Sequence, residues 1–530
     1  MKKRSRACEE CHRLKIKCDL STSPAGAACD RCHRNNLQCV PSAPRLQRDR
    51  ISELEAQVEE LKIALQERSN SSTTSTPGRS PGSQLEDHDP IILSFLDERI
   101  PLDKQQELLH IFTYRIAAAW PIMRLPTDLG IIRSRSPILL LSVLAYTFTH
   151  LLQGTESEVH DEIVRETMRM LAEELLGRGH RSLELVQALL VASFWNKSTR
   201  KGSQASCYQL CQLGVDMAID IGLAGFSLQP SPVAYFDQHG DTTSFEARRT
   251  WLACFVALSN SSKSVRRPNV YPWNAHHQDC LLQLESGGEP SDLLLCQIVR
   301  IEQIIQEISN GVGLFELDRY VDSNDPSTLA TMEVLKNKVD EWARQIPPIL
   351  ASSPILKVCY HVAMVSIYEV TLHTPTNKPA FCAPFIPGRI PVNNFPKPTK
   401  LNPALKPALE NLVLNCHGVI DTVTEMDPVL VLDLPTFSFT PNIVYSLFVL
   451  VTAMVAATDP TNTYGRLLPR DCFRIEECGQ KLRALAARVK ALDPSTSFWS
   501  TRLIDATSWL EDWYNDYTVI LRRYEFNLGS

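Results

Sequence analysis

The sequence predicts a small cysteine-stapled head, a coiled coil and a large all-α domain. Three observations predict it. Six cysteines fall within the 32 residues from Cys8 to Cys39, spaced Cys-x2-Cys-x6-Cys twice. A heptad of apolar residues follows at Ile51, Leu54, Val58, Leu61 and Leu65. From about residue 91, apolar residues recur at three- and four-residue intervals, as at Leu210, Leu213, Met217 and Ile221, without alternating strands. A chain of 530 residues exceeds what one core usually holds. The divisions read from it are 1–45, a metal-folded head, 46–68, linker and coil, 69–90, a disordered tether, and 91–530, a helical body.

The head stretch runs CEECHRLKIKC, a ten-residue loop, then CDRCHRNNLQC. Structural Zn²⁺ takes four ligands in a tetrahedron. Two ions need eight ligand positions, and six thiolates supply eight if two of them bridge. A disulfide knot is disfavoured because MKKRSR is basic with no apolar run behind it, which points to a reducing compartment. Iron–sulfur ligation rarely repeats a six-residue gap. Net charge is −6 overall, yet residues 1–50 carry twelve Lys/Arg against five Asp/Glu, or +7, which leaves −13 on the remainder. Two Zn²⁺ and six thiolates would lower the head to about +5. A basic head on an acidic body suits phosphate binding by the head alone.

These residues resemble the fungal binuclear zinc cluster transcription factors. All six cysteine positions match, and RxCxxCxxxKxKCD is matched from Arg6 through Cys8, Cys11, Lys15, Lys17 and Cys18 to Asp19. The resemblance implies two zinc ions held by Cys8, Cys11, Cys18, Cys29, Cys32 and Cys39, with Cys8 and Cys29 bridging. It also implies that the first-half helix enters the major groove of double-stranded DNA at a CGG triplet. Lys15 then reaches guanine O6/N7, the commonest specific contact in that groove. Lys17 and Arg6 contact phosphate and set register. Leu14 stands where relatives often carry a second basic residue, and Arg13 is the neighbouring substitute. Ala27 stands where the loop usually has proline. The first gap carries Arg13, Lys15 and Lys17 and the second only Arg34, so the first half is the groove reader.

Behind the head, Pro41 and Pro44 stiffen a short linker. Ile51, Leu54, Val58, Leu61 and Leu65 then occupy a, d, a, d, a. β-Branched a residues with leucine at d favour a parallel two-stranded coil, hence a homodimer. Ser52 with Glu55 reads as a capping box. Residues 69–90 are rich in Ser, Thr, Pro and Gly and read as a tether.

Within the body, helices are expected at 103–118, 137–152, 156–177, 182–196, 204–221, 245–263, 291–310, 327–345, 355–374, 404–425, 438–457, 471–492 and 500–526, with a Pro-rich loop at 376–403. Ser136–Tyr146, Leu185–Trp195, Cys211–Leu223 and Ala247–Leu258 followed by Arg267-Pro268 resemble the same family's helical middle homology region, over about 91–275. No GxSxG, HExxH, P-loop or GxGxxG signature is present, and an enzyme is not expected. His276-His277-Gln278-Asp279-Cys280 reads as a polar loop rather than a metal site. Trp509–Tyr517 reads as an activation segment or a final helix packed on the domain. The ten cysteines outside the head show no ligand spacing and read as buried reduced thiols. The longest apolar run, Ile443 to Ala457, has fifteen residues, short of the ~20 that span a bilayer, so no membrane partner is expected.

The reading is a nuclear, sequence-specific DNA-binding regulator of RNA polymerase II genes, acting as a homodimer on paired CGG-like triplets. Its body would relay a signal or contact the transcription machinery. The loop length and the RISELE start of the coil are similar to the branch controlling secreted proteases, weak-acid resistance or branched-chain amino acid synthesis. The rival reading is a zinc-dependent interaction module that dimerises without reading DNA.

Overall fold

The computed structural model describes residues 7, 8, 11, 16–18, 28–39, 89–148, 157–196, 207–225, 241–383, 385, 387–390, 399–436, 438–494, 496 and 498–528. Two compact units result, Met1–Gln84 and Leu85–Ser530. The coil positions Ile51, Leu54, Val58, Leu61 and Leu65 lie outside the described residues, as do Arg6, Arg13 and Lys15.

In the first unit a five-residue helix, α1 (Asp30–Arg34), follows directly on Cys29. Among the described residues the second unit's regular structure is helical, and its first helix starts at Asp89, two residues before the expected start of the body at 91. Its first half contains α2 (Asp89–Arg99), α3 (Leu102–Ile111, continued by a π-turn to Ile116), α4 (Leu129–Arg135), α5 (Pro137–Thr147), α6 (Ser157–Ala172) and α7 (Leu183–Phe194). Next come α8 (Cys207–Asp220), α9 (Phe245–Val265), α10 (Ala275–Gly287), α11 (Pro290–Gly311) and α12 (Pro326–Arg344). The last third holds α13 (Pro354–Tyr368), α14 (Lys406–Glu425), α15 (Pro428–Asp433), α16 (Pro441–Thr458), α17 (Ile475–Leu492), α18 (Trp499–Ala506) and α19 (Trp509–Leu528).

Local chemistry sets the helix starts. Asp128 accepts from Gly130 N at 2.7 Å, Ser182 from Leu185 N at 3.1 Å and Ser244 from Ala247 N at 3.2 Å. Each satisfies an N–H that the first turn leaves unpaired. Asn274 starts α10 with a capping box whose reciprocal partner is His277. The stretch His276–Cys280 is therefore helical, not the expected loop. A histidine in place of Glu or Gln at the third position hid the box from the sequence. Helices α2, α4 and α15 likewise lie outside the segments expected from the sequence.

One hydrophobic core runs through the second unit, from Ile92 to Leu521. Helix α5 is buried along its whole length, and α7 at every residue except Glu184. Such all-round apolar helices belong at the centre of a helical protein. Helix α7 packs between α5 and α8, α8 packs on α9, and α14 packs on both α13 and α16. Two stretches, Pro354–Leu372 and Pro441–Thr458, are long and apolar enough to cross a membrane, which corrects the fifteen-residue limit read from the sequence. Of their most apolar windows, 83% and 72% are buried inside the domain.

A polar network pins the core together. Arg266 ends α9 at φ +52° and sends its guanidinium to Phe381 O at 2.9 Å and Glu369 Oε2 at 2.5 Å. Tyr445 donates to the same carboxylate, and His373 Nε2 lies 2.8 Å from its other oxygen. Burial pushes the Glu369 carboxyl up, but the charge of Arg266 and the His373 and Tyr445 hydrogen bonds outweigh it, bringing it down to about 2. Nearby, Lys378 Nζ donates to the carbonyls of Gly313, Glu316 and Arg319 at 2.5–2.7 Å. The Pro-rich segment after residue 376 is thus clamped onto the end of α9 and the chain beyond α11.

Candidate metal centre

The two halves of the head repeat at an offset of 21 residues, and their backbones repeat too. Cys8 N donates to Cys18 Sγ at 3.4 Å, and Cys29 N to Cys39 Sγ at 3.3 Å. Ile16 N donates to Cys11 O at 3.1 Å, and Leu37 N to Cys32 O at 2.9 Å. Each half therefore turns its first and third cysteines toward each other by the same hydrogen bond. Helix α1 starts with Cys29 as its cap, the sulfur accepting from Cys32 N at 3.5 Å.

The sulfurs of Cys8, Cys11, Cys29 and Cys32 all lie within 4.8 Å of one another, and all four residues are buried. The contacts across the halves are Cys8–Cys29 at 3.9 Å, Cys8–Cys32 at 3.7 Å and Cys11–Cys29 at 3.8 Å. A tetrahedron with Zn–S bonds of ~2.3 Å has sulfur–sulfur edges of ~3.8 Å. A disulfide would need ~2.0 Å, and all six thiols are free. The donor set therefore fits thiolate-bound zinc.

Cys8 and Cys29 are the hubs. Each interacts with Cys11, Cys18, Cys32 and Cys39 as well as with the other hub. Both hubs thus reach sulfurs of both halves. Electrostatics separate the hubs from the rest. Desolvation pushes the Cys8 thiol up, but the Cys11 N–H and the thiols of Cys11, Cys32 and Cys39 bring it below its ordinary value. The Cys32 N–H, against desolvation and with help from three neighbouring thiols, lowers Cys29 to about 6. Desolvation raises Cys11, Cys18 (to about 12) and Cys32. Cys39 is also raised, by desolvation and its thiol neighbours against the Cys29 N–H.

Of the sequence-predicted DNA contacts only Lys17 is described; it is exposed, beside Cys18. A residue not singled out as a site residue is Arg31, in α1 of the second half. Against the desolvation that raises the Cys11 thiol of the first half, Arg31 acts to lower it and so favours the thiolate. Six thiolates and two Zn²⁺ sum to −2, so a cation against the sulfurs compensates the cluster. The sequence signal was a basic residue directly before a cysteine.

The remaining ligand-type residues do other work. His277 stacks between Trp251 and Trp273 at 4.9 and 5.1 Å and caps α10. His276 Nε2 lies 2.9 Å from Leu223 O. Among the described residues, the four head cysteines alone bring three or more ligand atoms together. All ten body cysteines are free, seven of them buried. In α19, Leu510 is fully buried and Tyr517 Oη lies 2.8 Å from Thr458 Oγ1, so Trp509–Tyr517 forms a helix packed on the core.

Comparison with known proteins agrees with this geometry. Residues 6–49 match the fungal Zn(2)-Cys(6) binuclear cluster domain, and residues 112–343 the fungal specific transcription factor domain. The second match extends well beyond the expected 91–275 at its far end and starts later. Transcription factor pbcR of Emericella nidulans is 26% identical over 399 residues, covering 64% of this chain and 52% of that protein. Transcription factor opdL of Penicillium oxalicum is 25% identical over 296 residues, covering 51% and 49%. Transcriptional regulator WAR1 of Candida albicans is 20% identical over 394 residues, covering 72% and 38%. The matches thus span about half or less of these relatives' length. No solved structure matches. With a two-zinc, six-cysteine head followed by the helical domain that accompanies it, the chain belongs to the fungal binuclear zinc cluster transcription factor family.

Proposed function

We propose that this chain is a nuclear, sequence-specific DNA-binding transcription regulator that acts as a homodimer on paired CGG-type triplets. Its six head cysteines hold two zinc ions, with Cys8 and Cys29 shared. The observation that carries the reading is the inequality of the two halves. At equivalent positions the first half has Lys15 and Lys17 where the second has Asn36 and Gln38. The second half's extra cation, Arg31, favours the Cys11 thiolate of the cluster. Cations thus crowd the first half of the repeat and are sparse in the second. Lys15 reads guanine edges, Lys17 and Arg6 hold phosphate, and Arg13 supports them. Relatives in this family are transcription factors rather than enzymes.

Titration of the full chain against a paired-CGG duplex and a scrambled duplex, across a salt series, tests this. Lys15→Ala should lose roughly 1–3 kcal/mol on the paired-CGG site and little on the scrambled one. Lys17→Ala should weaken both about equally and lower the salt slope by roughly one unit. Equal loss on both duplexes for Lys15→Ala would move the base reader to Arg13. Absence of binding to any duplex would leave the interaction-module reading instead.

Ile51, Leu54, Val58, Leu61 and Leu65 join two chains in a parallel coil. Leu54→Glu with Leu61→Glu places charges at both d positions and should yield monomers in sedimentation velocity. A double variant that stays dimeric would assign the dimer contact to another surface.

A further inference from the structure

The second unit contains a cleft of about 280 Å³ bounded by the loop before α4, by α4 itself, and by the first turns of α5, α7 and α9. Its charges are segregated. The basic residues, Arg124 and Arg135, come from the loop and α4. The acidic residues, Glu184 and Glu246, come from the first turns of α7 and α9. Arg124 is paired outward with Glu289 at 2.7 Å. Among the described residues no ion pair joins Arg135 to Glu184 or Glu246, although all three line the same space. Opposite charges left apart across a gap point to a bridging occupant.

Two further observations point to a ligand. Gln187, 1% exposed, lines the cleft. Its Nε2 donates to Glu246 at 3.2 Å and Thr250 at 3.0 Å, but its buried Oε1 has no donor. A buried acceptor without a donor costs free energy unless something supplies one. On the other wall, α5 begins without a side-chain cap. Ser136 sits at its cap position with its hydroxyl unused for capping, while Ser182 and Ser244 cap α7 and α9. The first residue of α5, Pro137, has no N–H, so the donors that this uncapped start leaves beside Arg135 are the N–H groups of Ile138 and Leu139, a setting that favours an anion.

We propose that this cleft binds a small zwitterion of the α-amino-acid class. The carboxylate sits at Arg135 and the uncapped start of α5. The protonated amine sits between Glu184 and Glu246 and offers the missing donor to Gln187. The volume approaches the ~300 Å³ at which pockets for small ligands begin. This site lies inside the stretch matching the fungal specific transcription factor domain and gives the body an input separate from DNA.

Binding is measured on the full zinc-loaded chain without DNA, so the outcome is independent of the proposed DNA-reading role. The probes are the twenty L-amino acids, each at ~5 mM, in thermal-shift and calorimetric titrations; the controls are succinate and putrescine, which carry only one kind of charge. At least one amino acid should raise the melting temperature with saturable binding, while neither control does. Arg135→Gln and Glu184→Gln, both at solvent-reaching positions, should each weaken that binding about tenfold or more, as loss of a charge-assisted hydrogen bond does. Their melting temperatures without ligand should stay at the wild-type value. No response to any amino acid overturns the proposal. So does binding that both variants leave unchanged, or equal binding of succinate or putrescine.

Discussion

Cys29→Ala is expected to release both zinc ions from the chain, whereas Cys39→Ala should leave the ion held by the first half. The difference follows from the hub position of Cys29. It interacts with Cys8, Cys11, Cys18, Cys32 and Cys39, whereas Cys39 interacts only with the two hubs, Cys8 and Cys29. Zinc binding by such sites carries on the order of 10–16 kcal/mol of apparent free energy, and in a segment with almost no apolar core that energy is the folding energy. Ile16 and Leu37, the large apolar side chains described beside the cluster, are 41% and 39% exposed, so they cannot replace it. Metal analysis of the purified variants checks the expectation. A Cys29→Ala chain retaining one equivalent of zinc would overturn the sharing of Cys29 between the two ions. The body's melting temperature should not move, because its core includes no head residue.

Arg266→Leu is expected to destabilise the body by roughly 3–5 kcal/mol, the usual result of leaving one member of a buried ion pair uncompensated. Arg266 is 4% exposed and Glu369 1%, so water does not take over the lost contact. The pH dependence distinguishes this from simple loss of packing. In the wild type the Glu369 carboxyl is lowered from its ordinary 4.5 to about 2. Its contribution is complete above pH ~4.5 and is lost as the pH falls toward 2. Without Arg266, burial dominates and the carboxyl rises, so the variant gains relative to the wild type as the carboxyl protonates. Urea unfolding at pH 7 and pH 4 should show the gap between the two proteins narrowing at the lower pH. A gap of constant size would mean that Arg266 acts through packing alone.

The parts legible in the sequence are those encoded over short distances. The Cys-x2-Cys-x6-Cys repeat named the metal centre because ligand spacing is local. The core helices were visible because three- and four-residue periodicity is local as well. Helix α10 was missed because its cap uses His277, and a histidine pair reads more readily as a loop or a ligand set. The network of Arg266, Glu369, His373, Lys378 and Tyr445 was illegible for a different reason. Its members lie up to 179 residues apart (445 minus 266), and only the packed helices bring them together. The cleft at Arg135, Glu184 and Glu246 is hidden in the same way, since each residue alone is an ordinary charge near a helix end.

The unbroken core also decides how this protein can be dissected. Leu510, Tyr517 and Leu521 of the last helix belong to the same packed interior as Ile92 and Leu96 of the first helix of the body. Deleting the chain's final helix strips a buried wall from that interior and leaves the Thr458 hydroxyl without its partner Tyr517. Loss of output after such a deletion would reflect a damaged fold rather than a missing activation segment. The boundary at residue 343 is likewise not an edge of a folded unit, because α11 packs on α13 and α12 also packs on α13 beyond it. Reporter assays on serial deletions would therefore register protein loss at nearly every cut inside the body. Point substitutions on exposed side chains of α19 are the cleaner way to ask what its outer face contacts.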